Sequence, residues 1–166
     1  MIKEIPYNEY IKEVHSQLIR GVFLTTKAGD RINTMVIGWG GLTFFWNRPI
    51  FLVPVRKSRY THELLEKSGE FTVSIPMGRD MQKALSFCGT KSGRDYDKFK
   101  ECKLTAVPGR YVDVPVIGEC NLHYECRVVY KQDMDPATLN EEINQRFYPN
   151  YHTFYYGEIL GCYLTE

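Results

Sequence analysis

Two short segments hold the groups best suited to chemistry. The first, Pro54-Val55-Arg56-Lys57-Ser58-Arg59-Tyr60-Thr61, leaves an apolar run of strand character and enters a helical pattern. It offers three cations, two aliphatic hydroxyls and the amides of a helix N terminus. A phosphate needs that set, because amide dipoles and guanidinium forks neutralise its charge while hydroxyls complete its hydrogen bonds. The same residues also fit a solvated helix start capped by serine. The second segment, Phe87-Cys88-Gly89-Thr90-Lys91-Ser92-Gly93-Arg94-Asp95, would wrap the same anion with Lys91, Ser92 and backbone amides. Its plainer reading is an exposed loop whose charges serve solubility. Neither segment has the G-x-x-x-x-G-K-[ST] order of a P-loop, and no G-x-G-x-x-G follows a strand, so nucleotide hydrolysis is disfavoured.

Nucleophilic catalysis has less support. There is no G-x-S-x-G elbow and no local cysteine signature. Cys88 lies in the basic second segment, and it fits the core face of a helix. His152 stands at the mouth of the last strand, where it is either a surface strand-end histidine or a ligand contact. The five cysteines form no C-x-x-C pair, and an odd number cannot close completely into intrachain disulfides, which reads as reduced thiols. The four histidines are scattered without ligand spacing, so no metal is expected.

The whole chain narrows the partners. Its 166 residues suffice for one core that buries about two-thirds of the unfolded surface. With 21 basic against 20 acidic residues, no broad field favours nucleic acid or an anionic membrane. No apolar signal core opens the sequence and no apolar run approaches a spanning length of roughly 20 residues, so a cytoplasmic location is expected. An aromatic content of 14% points to strands, cofactor walls and subunit interfaces.

The elements that must position these groups follow from periodicity. Tyr10, Ile11, Val14 and Leu18 mark an amphipathic helix ended by Gly21. Val22 to Thr26 and Ile32 to Ile37 flank Gly29-Asp30 as a hairpin; Leu42 to Trp46 and Ile50 to Val55 flank Asn47-Arg48-Pro49 as another. Tyr60, Leu64 and Leu65 predict a helix of about two turns stopped by Ser68-Gly69, followed by a strand from Phe71 to Ile75. Met81, Ala84, Leu85 and Cys88 repeat at helical spacing up to Gly89, and Thr90 to Phe99 reads as a functional loop. Leu122, Tyr124, Cys126 and Val128 alternate with His123, Glu125 and Arg127 as a strand with one face in the core. A helix at about Pro136 to Phe147 and a last strand from Thr153 to Leu164 complete the chain. Short strands joined by turns favour a closed or nearly closed antiparallel barrel over a doubly wound sheet.

Taken in order, Asn33-Thr34-Met35-Val36-Ile37-Gly38-Trp39-Gly40, Arg56-Lys57-Ser58-Arg59-Tyr60-Thr61, Gly69-Glu70-Phe71-Thr72-Val73-Ser74, Ser92-Gly93-Arg94-Asp95-Tyr96-Asp97-Lys98-Phe99 and His152-Thr153-Phe154-Tyr155-Tyr156-Gly157-Glu158-Ile159 resemble the flavin reductase-like, FMN-binding split-barrel family, in particular its flavoredoxin-like branch. The resemblance implies one domain over residues 1–166, mainly β: a six-stranded antiparallel Greek-key split barrel with a few short peripheral helices. It also implies a homodimer with FMN at the subunit interface. Asn33, Thr34 and Met35 would line the isoalloxazine. Arg56, Lys57, Ser58, Tyr60 and Thr61 would hold ribityl and phosphate. Gly89, Thr90, Lys91, Ser92 and Lys98 would close the phosphate end, and His152, as the catalytic candidate, would stand with Tyr155 near the reacting edge. Where such reductases commonly carry an aspartate before the last-strand histidine, this chain has Tyr151. The implied activity is electron transfer from a reduced donor such as NAD(P)H through FMN to free flavin, ferric iron or a redox protein. The alternative is a non-enzymatic flavoprotein carrier.

Overall fold

Alternating apolar runs that each bury one face must pair with neighbours in fixed register, and here they pair antiparallel throughout. The computed structural model describes residues 1–166. In chain order the elements are β1 (Ile2–Glu4), α1 (Ile11–Leu18), β2 (Val22–Ala28), β3 (Arg31–Ile37), β4 (Gly41–Phe45), β5 (Arg48–Arg56), α2 (Tyr60–Ser68), β6 (Glu70–Ile75), α3 (Gln82–Thr90), α4 (Lys98–Glu101), β7 (Ala106–Val107), β8 (Val116–Ile117), β9 (Leu122–Asp133), α5 (Glu141–Phe147) and β10 (His152–Thr165). The main sheet runs β3-β2-β6-β9-β10-β5-β4, with β1 joined to the end of β10, and β7 pairs with β8 apart from it. The chain is thus a mainly β split barrel, with eight strands in its main sheet where six were expected. The three residues of β1 are all exposed, so no alternation marks them in the sequence.

The path ends at β3 and β4, which do not pair with each other. The chain crosses between them at Gly40, whose φ is +103° and where a Cβ would stand 2.1 Å from the Leu52 carbonyl oxygen; no other residue fits. Beyond Leu52, its last rung with β4, β5 continues to Arg56 paired only with β10. That overhang faces the split.

Three expectations need correction. The second hairpin turns at Trp46-Asn47, with φ of 54° and 55°, and not at Asn47-Arg48-Pro49. A two-residue turn with both φ values positive matches the strand twist, and Pro49 lies beyond the last β5–β10 rung, so its missing N–H costs nothing there. Gly89 does not end α3, which continues through Thr90; the glycine answers to packing, since a Cβ there would meet Val36 at 3.3 Å. The Pro136 to Phe147 stretch divides into a 3-10 turn and α5, whose Asn140 cap accepts from the Ile143 amide at 3.2 Å. Gly69 does end α2, at φ +66°.

The core gathers the inward residues of the strands, among them Leu24, Phe51, Phe71, Val73 and Tyr124, with Val14 and Leu18 of α1 covering one end. A smaller cluster of Phe23, Leu85, Cys88, Leu104, Ile117 and Cys120 seats α3 against the sheet. On β9 the second face is also covered near its start. The fully buried Glu125 carboxylate accepts from the amides of Arg110, Tyr111 and Val112 and from the Tyr163 hydroxyl, fastening the 109–113 loop. No helix is long and apolar enough to cross a membrane.

Candidate functional site

The overhanging end of β5 delivers Arg56 to the split, a tight turn follows, and α2 begins at Tyr60. Arg59 occupies the cap position with extended backbone, and no side chain caps the helix. Ser58 does not act as the cap: its hydroxyl accepts from the Asn150 side-chain amide at 2.6 Å. The first amides of α2 therefore lack a side-chain acceptor, and the helix dipole adds to their pull on an anion.

In front of this turn lies a cavity of about 290 Å³. Asn33 and Met35 of β3 form one side, the Ser58–Thr61 turn another, and Thr90 to Gly93 a third. Four cations line it: Arg56, Arg59, Lys91 and Lys98. None has a carboxylate within 4.0 Å; the ion pairs of the molecule all join other residues. Uncompensated like charges are costly in a folded protein unless an anion completes them.

Three of the four are held by neutral oxygens, while the Lys91 ammonium lies 5.9 Å from the Tyr96 ring centre. Arg59 donates to the Gly89 carbonyl at 3.1 Å, and burial, then the neighbouring Arg56, pushes its pKa below the usual range. Arg56 donates to the Phe147 carbonyl at 3.1 Å and to that of Asn150, and lies 5.3 Å from the Tyr148 ring centre. Lys98, only 3% exposed, bridges the carbonyls of Thr34 (2.9 Å) and Cys88 (2.8 Å), tying β3 to α3. Burial pushes it down to about 8. The floor is neutral: Asn33 donates to the Thr61 hydroxyl at 2.9 Å.

A second cavity, of about 210 Å³, adjoins the first through shared walls at Met35, Arg56 and Arg59. Its further lining is different: residues Met35 to Trp39, Pro54 and His152, with the ring centres of Trp39 and His152 5.4 Å apart. His152 is buried and shares a 2.8 Å hydrogen bond with the Tyr148 hydroxyl through Nδ1. Burial first, then Arg56 and Arg59, pushes its pKa down to about 4, so the ring is neutral at pH 7. The two cavities make one groove, with four cations at one end and, at the other, Arg56 and Arg59 beside the flat rings of Trp39 and His152, which are tilted 55° to one another. That shape suits a planar heteroaromatic carrying a phosphate.

Ten of the sequence-predicted residues line the cationic cavity: Asn33, Met35, Arg56, Ser58, Tyr60, Thr61, Thr90, Lys91, Ser92 and Lys98. His152 lines the other. Gly89 lies behind the wall, its carbonyl holding Arg59. Three residues do not reach the groove. Strand alternation turns Thr34 away from the Asn33 and Met35 face, and its hydroxyl donates to the Leu24 carbonyl at 3.3 Å. Lys57 points outward to Asp133 at 2.8 Å. Tyr155, three positions along β10 from His152, faces the barrel interior and donates to Glu66 at 2.6 Å.

Sequence reasoning counted Arg59 among the three cations of the first segment without assigning it a contact, and assigned none to Asn150, Gly93 or Trp39. Arg59 and Trp39 lay inside the quoted motifs, and the signal for Arg59 was its place directly before the helix. Asn150 had no signal beyond nearness to His152.

The chain matches the flavin reductase-like domain over residues 16–166. It is 33% identical over 120 residues to an uncharacterized protein of Archaeoglobus fulgidus, which covers 70% of this chain but only 65% of that relative. Among solved structures it is similar to the flavoredoxin of Desulfovibrio vulgaris, at 29% identity and a TM-score of 0.71 over 88% of this chain and 69% of that one. An FMN-binding domain of a flavin reductase-like enzyme from Shewanella baltica shares the fold at 20% identity, with a TM-score of 0.69 over 99% of this chain and 77% of that one.

Proposed function

The chain belongs to the flavin reductase-like domain family, and from that membership and its groove we propose that it binds FMN and serves as an oxidoreductase. Electrons would come from a reduced donor such as NADH or NADPH and leave to free flavin, ferric iron or a redox protein. The observation that carries this reading is a groove lined at one end by four cations without carboxylate partners, two of which, Arg56 and Arg59, reach the other end, where the Trp39 and His152 rings form the walls. When bound, FMN supplies the hydride and electron transfer itself.

The chain's own residues bind and orient. Arg56, Arg59, Lys91 and Lys98 balance the phosphate charge, and the α2 amides add hydrogen bonds. Asn33 and Met35 support the middle of the groove. The Met35 to Trp39 backbone and the Trp39 ring wall the flat end. His152, held neutral, offers a hydrogen-bonding nitrogen and no charge; its part is positioning. Fixing the phosphate end fixes the ring end, where small errors of placement slow transfer.

Completion of the groove by a second copy is part of the proposal. Outward-facing positions of β10 continue from His152 through Phe154 to Tyr156, whose ring packs with Phe45, Trp46 and Tyr130 within 6 Å. Trp46 is 56% exposed, so an aromatic face runs from the flat end of the groove and suits a twin subunit.

The similarity to flavoredoxin favours a second reading, a non-enzymatic carrier that exchanges electrons with redox proteins. Anaerobic addition of NADH or NADPH to the FMN-loaded protein separates the two. Rapid bleaching of the flavin supports the reductase. Bleaching only with a reduced partner protein refutes it in favour of the carrier.

A further inference from the structure

We propose that Arg94 and Gly93 build the end wall of the phosphate site and make the groove selective for a flavin ending in a monophosphate over one continuing into a pyrophosphate and nucleoside. This rests on the reading of the groove as a flavin site.

The wall is assembled from contacts on three sides. Arg94 donates through Nη1 to the Ser58 carbonyl at 3.0 Å and through Nη2 to Glu63 at 3.3 Å, and its guanidinium carbon lies 5.3 Å from the Tyr60 ring centre. It thus ties the 92–97 loop to the turn and first helical residues that hold the anion. Gly93 completes the seal. A Cβ there would stand 2.1 Å from Asn33 Oδ1 and 2.9 Å from the Tyr60 ring, so the loop backbone is pressed directly on the cavity floor.

Behind the wall lies another cavity of about 530 Å³, which shares only Tyr60 and Gly93 with the cationic one. Its charge is reversed in character: Asp30, Asp95 and Asp97 line it. Three carboxylates there face two guanidiniums: Arg94 is paired with Glu63, and Arg31 donates to the neutral Tyr60 hydroxyl at 3.2 Å and keeps its charge, so the lining is negative by a small margin. A ligand that ran past its first phosphate would have to displace Arg94 and carry a second phosphate toward three carboxylates. Like charges so placed disfavour a ligand by one or more orders of magnitude. A terminal monophosphate meets neither obstacle.

The test is titration of the apoprotein with FMN and with FAD, followed by flavin fluorescence. Wild type is expected to bind FMN about tenfold or more tighter than FAD. Arg94 is exposed, so Arg94→Ala leaves the core untouched. That variant should bring the two affinities within about threefold by strengthening FAD. Asp30→Asn with Asp95→Asn should likewise strengthen FAD and leave FMN unchanged. Equal affinities in wild type would overturn the proposal, as would parallel loss of both flavins in Arg94→Ala with no gain for FAD in the aspartate variant. Binding of neither flavin by wild type would instead refute the flavin-site reading beneath it.

Discussion

Arg59→Met separates a ligand-binding cation from a structural one. In the free protein this guanidinium is half-buried beside Arg56, with one hydrogen bond to the Gly89 carbonyl and no carboxylate. Its removal gives up that bond but relieves the burial and repulsion that depress its pKa, and methionine keeps much of the packing. The unliganded protein should therefore stay within about 1 kcal/mol of wild type. The complex loses more, because a hydrogen bond to a charged group is worth about 1.5–3 kcal/mol, or roughly ten- to hundredfold in Kd. Fluorescence titration with FMN and thermal melts of the unliganded protein read the two quantities independently. Lys57→Met is the control: that cation points to Asp133, and FMN affinity should change less than about threefold. Unchanged FMN affinity in Arg59→Met would refute the assignment. So would an unliganded protein destabilised as much as the complex is weakened.

Other expectations follow from buried groups. Lys98 sits at about 8, below its ordinary 10.5, so the unliganded protein should gain stability from pH 8 to 10.5 as the buried ammonium loses its charge. FMN affinity should fall over the same rise, by up to about tenfold per pH unit, and Lys98→Met should remove that dependence. His123, 1% exposed and pushed down to about 4 by burial, leaves the unfolded chain holding more protons between pH 4 and 6.5. Its contribution of about 3 kcal/mol is full above pH 6.5 and lost as pH falls toward 4; His152 adds to the same window, so in urea denaturation at pH 4.5 and 7 His123→Asn should reduce the difference without abolishing it. Glu125→Ala removes the buried carboxylate on which the Arg110, Tyr111 and Val112 amides converge and should cost about 3 kcal/mol in the same assay, with Glu125→Gln costing less.

Local features were legible in the sequence where short-range chemistry decides them. Gly69 at the end of α2, the first hairpin, and the anion-suited turn between β5 and α2 all depend on residues within a few positions of one another. What the sequence left open was direction. Arg56, Lys57 and Arg59 are equal as composition, yet the turn sends Lys57 to Asp133 and the other two into the groove. Thr34 and Tyr155 share motifs with true lining residues, and strand alternation removes both. Asn150 and Gly93 were passed over because their roles depend on packing against Ser58 and Asn33, more than 50 residues away in the chain. The two-residue turn at Trp46-Asn47 displaced the turn expected around Pro49 because bulky tryptophan seldom adopts positive φ, and only the register with β5 requires it.

The central claim is that the cationic end of the groove holds a phosphate, and comparing FMN with riboflavin tests it most directly. The two share the ring and ribityl chain and differ only in that group. Titration of the unliganded protein should give FMN a Kd about a hundredfold or more below that of riboflavin, as two or more charge-assisted hydrogen bonds require. Equal affinities, or no binding of FMN, would contradict the account.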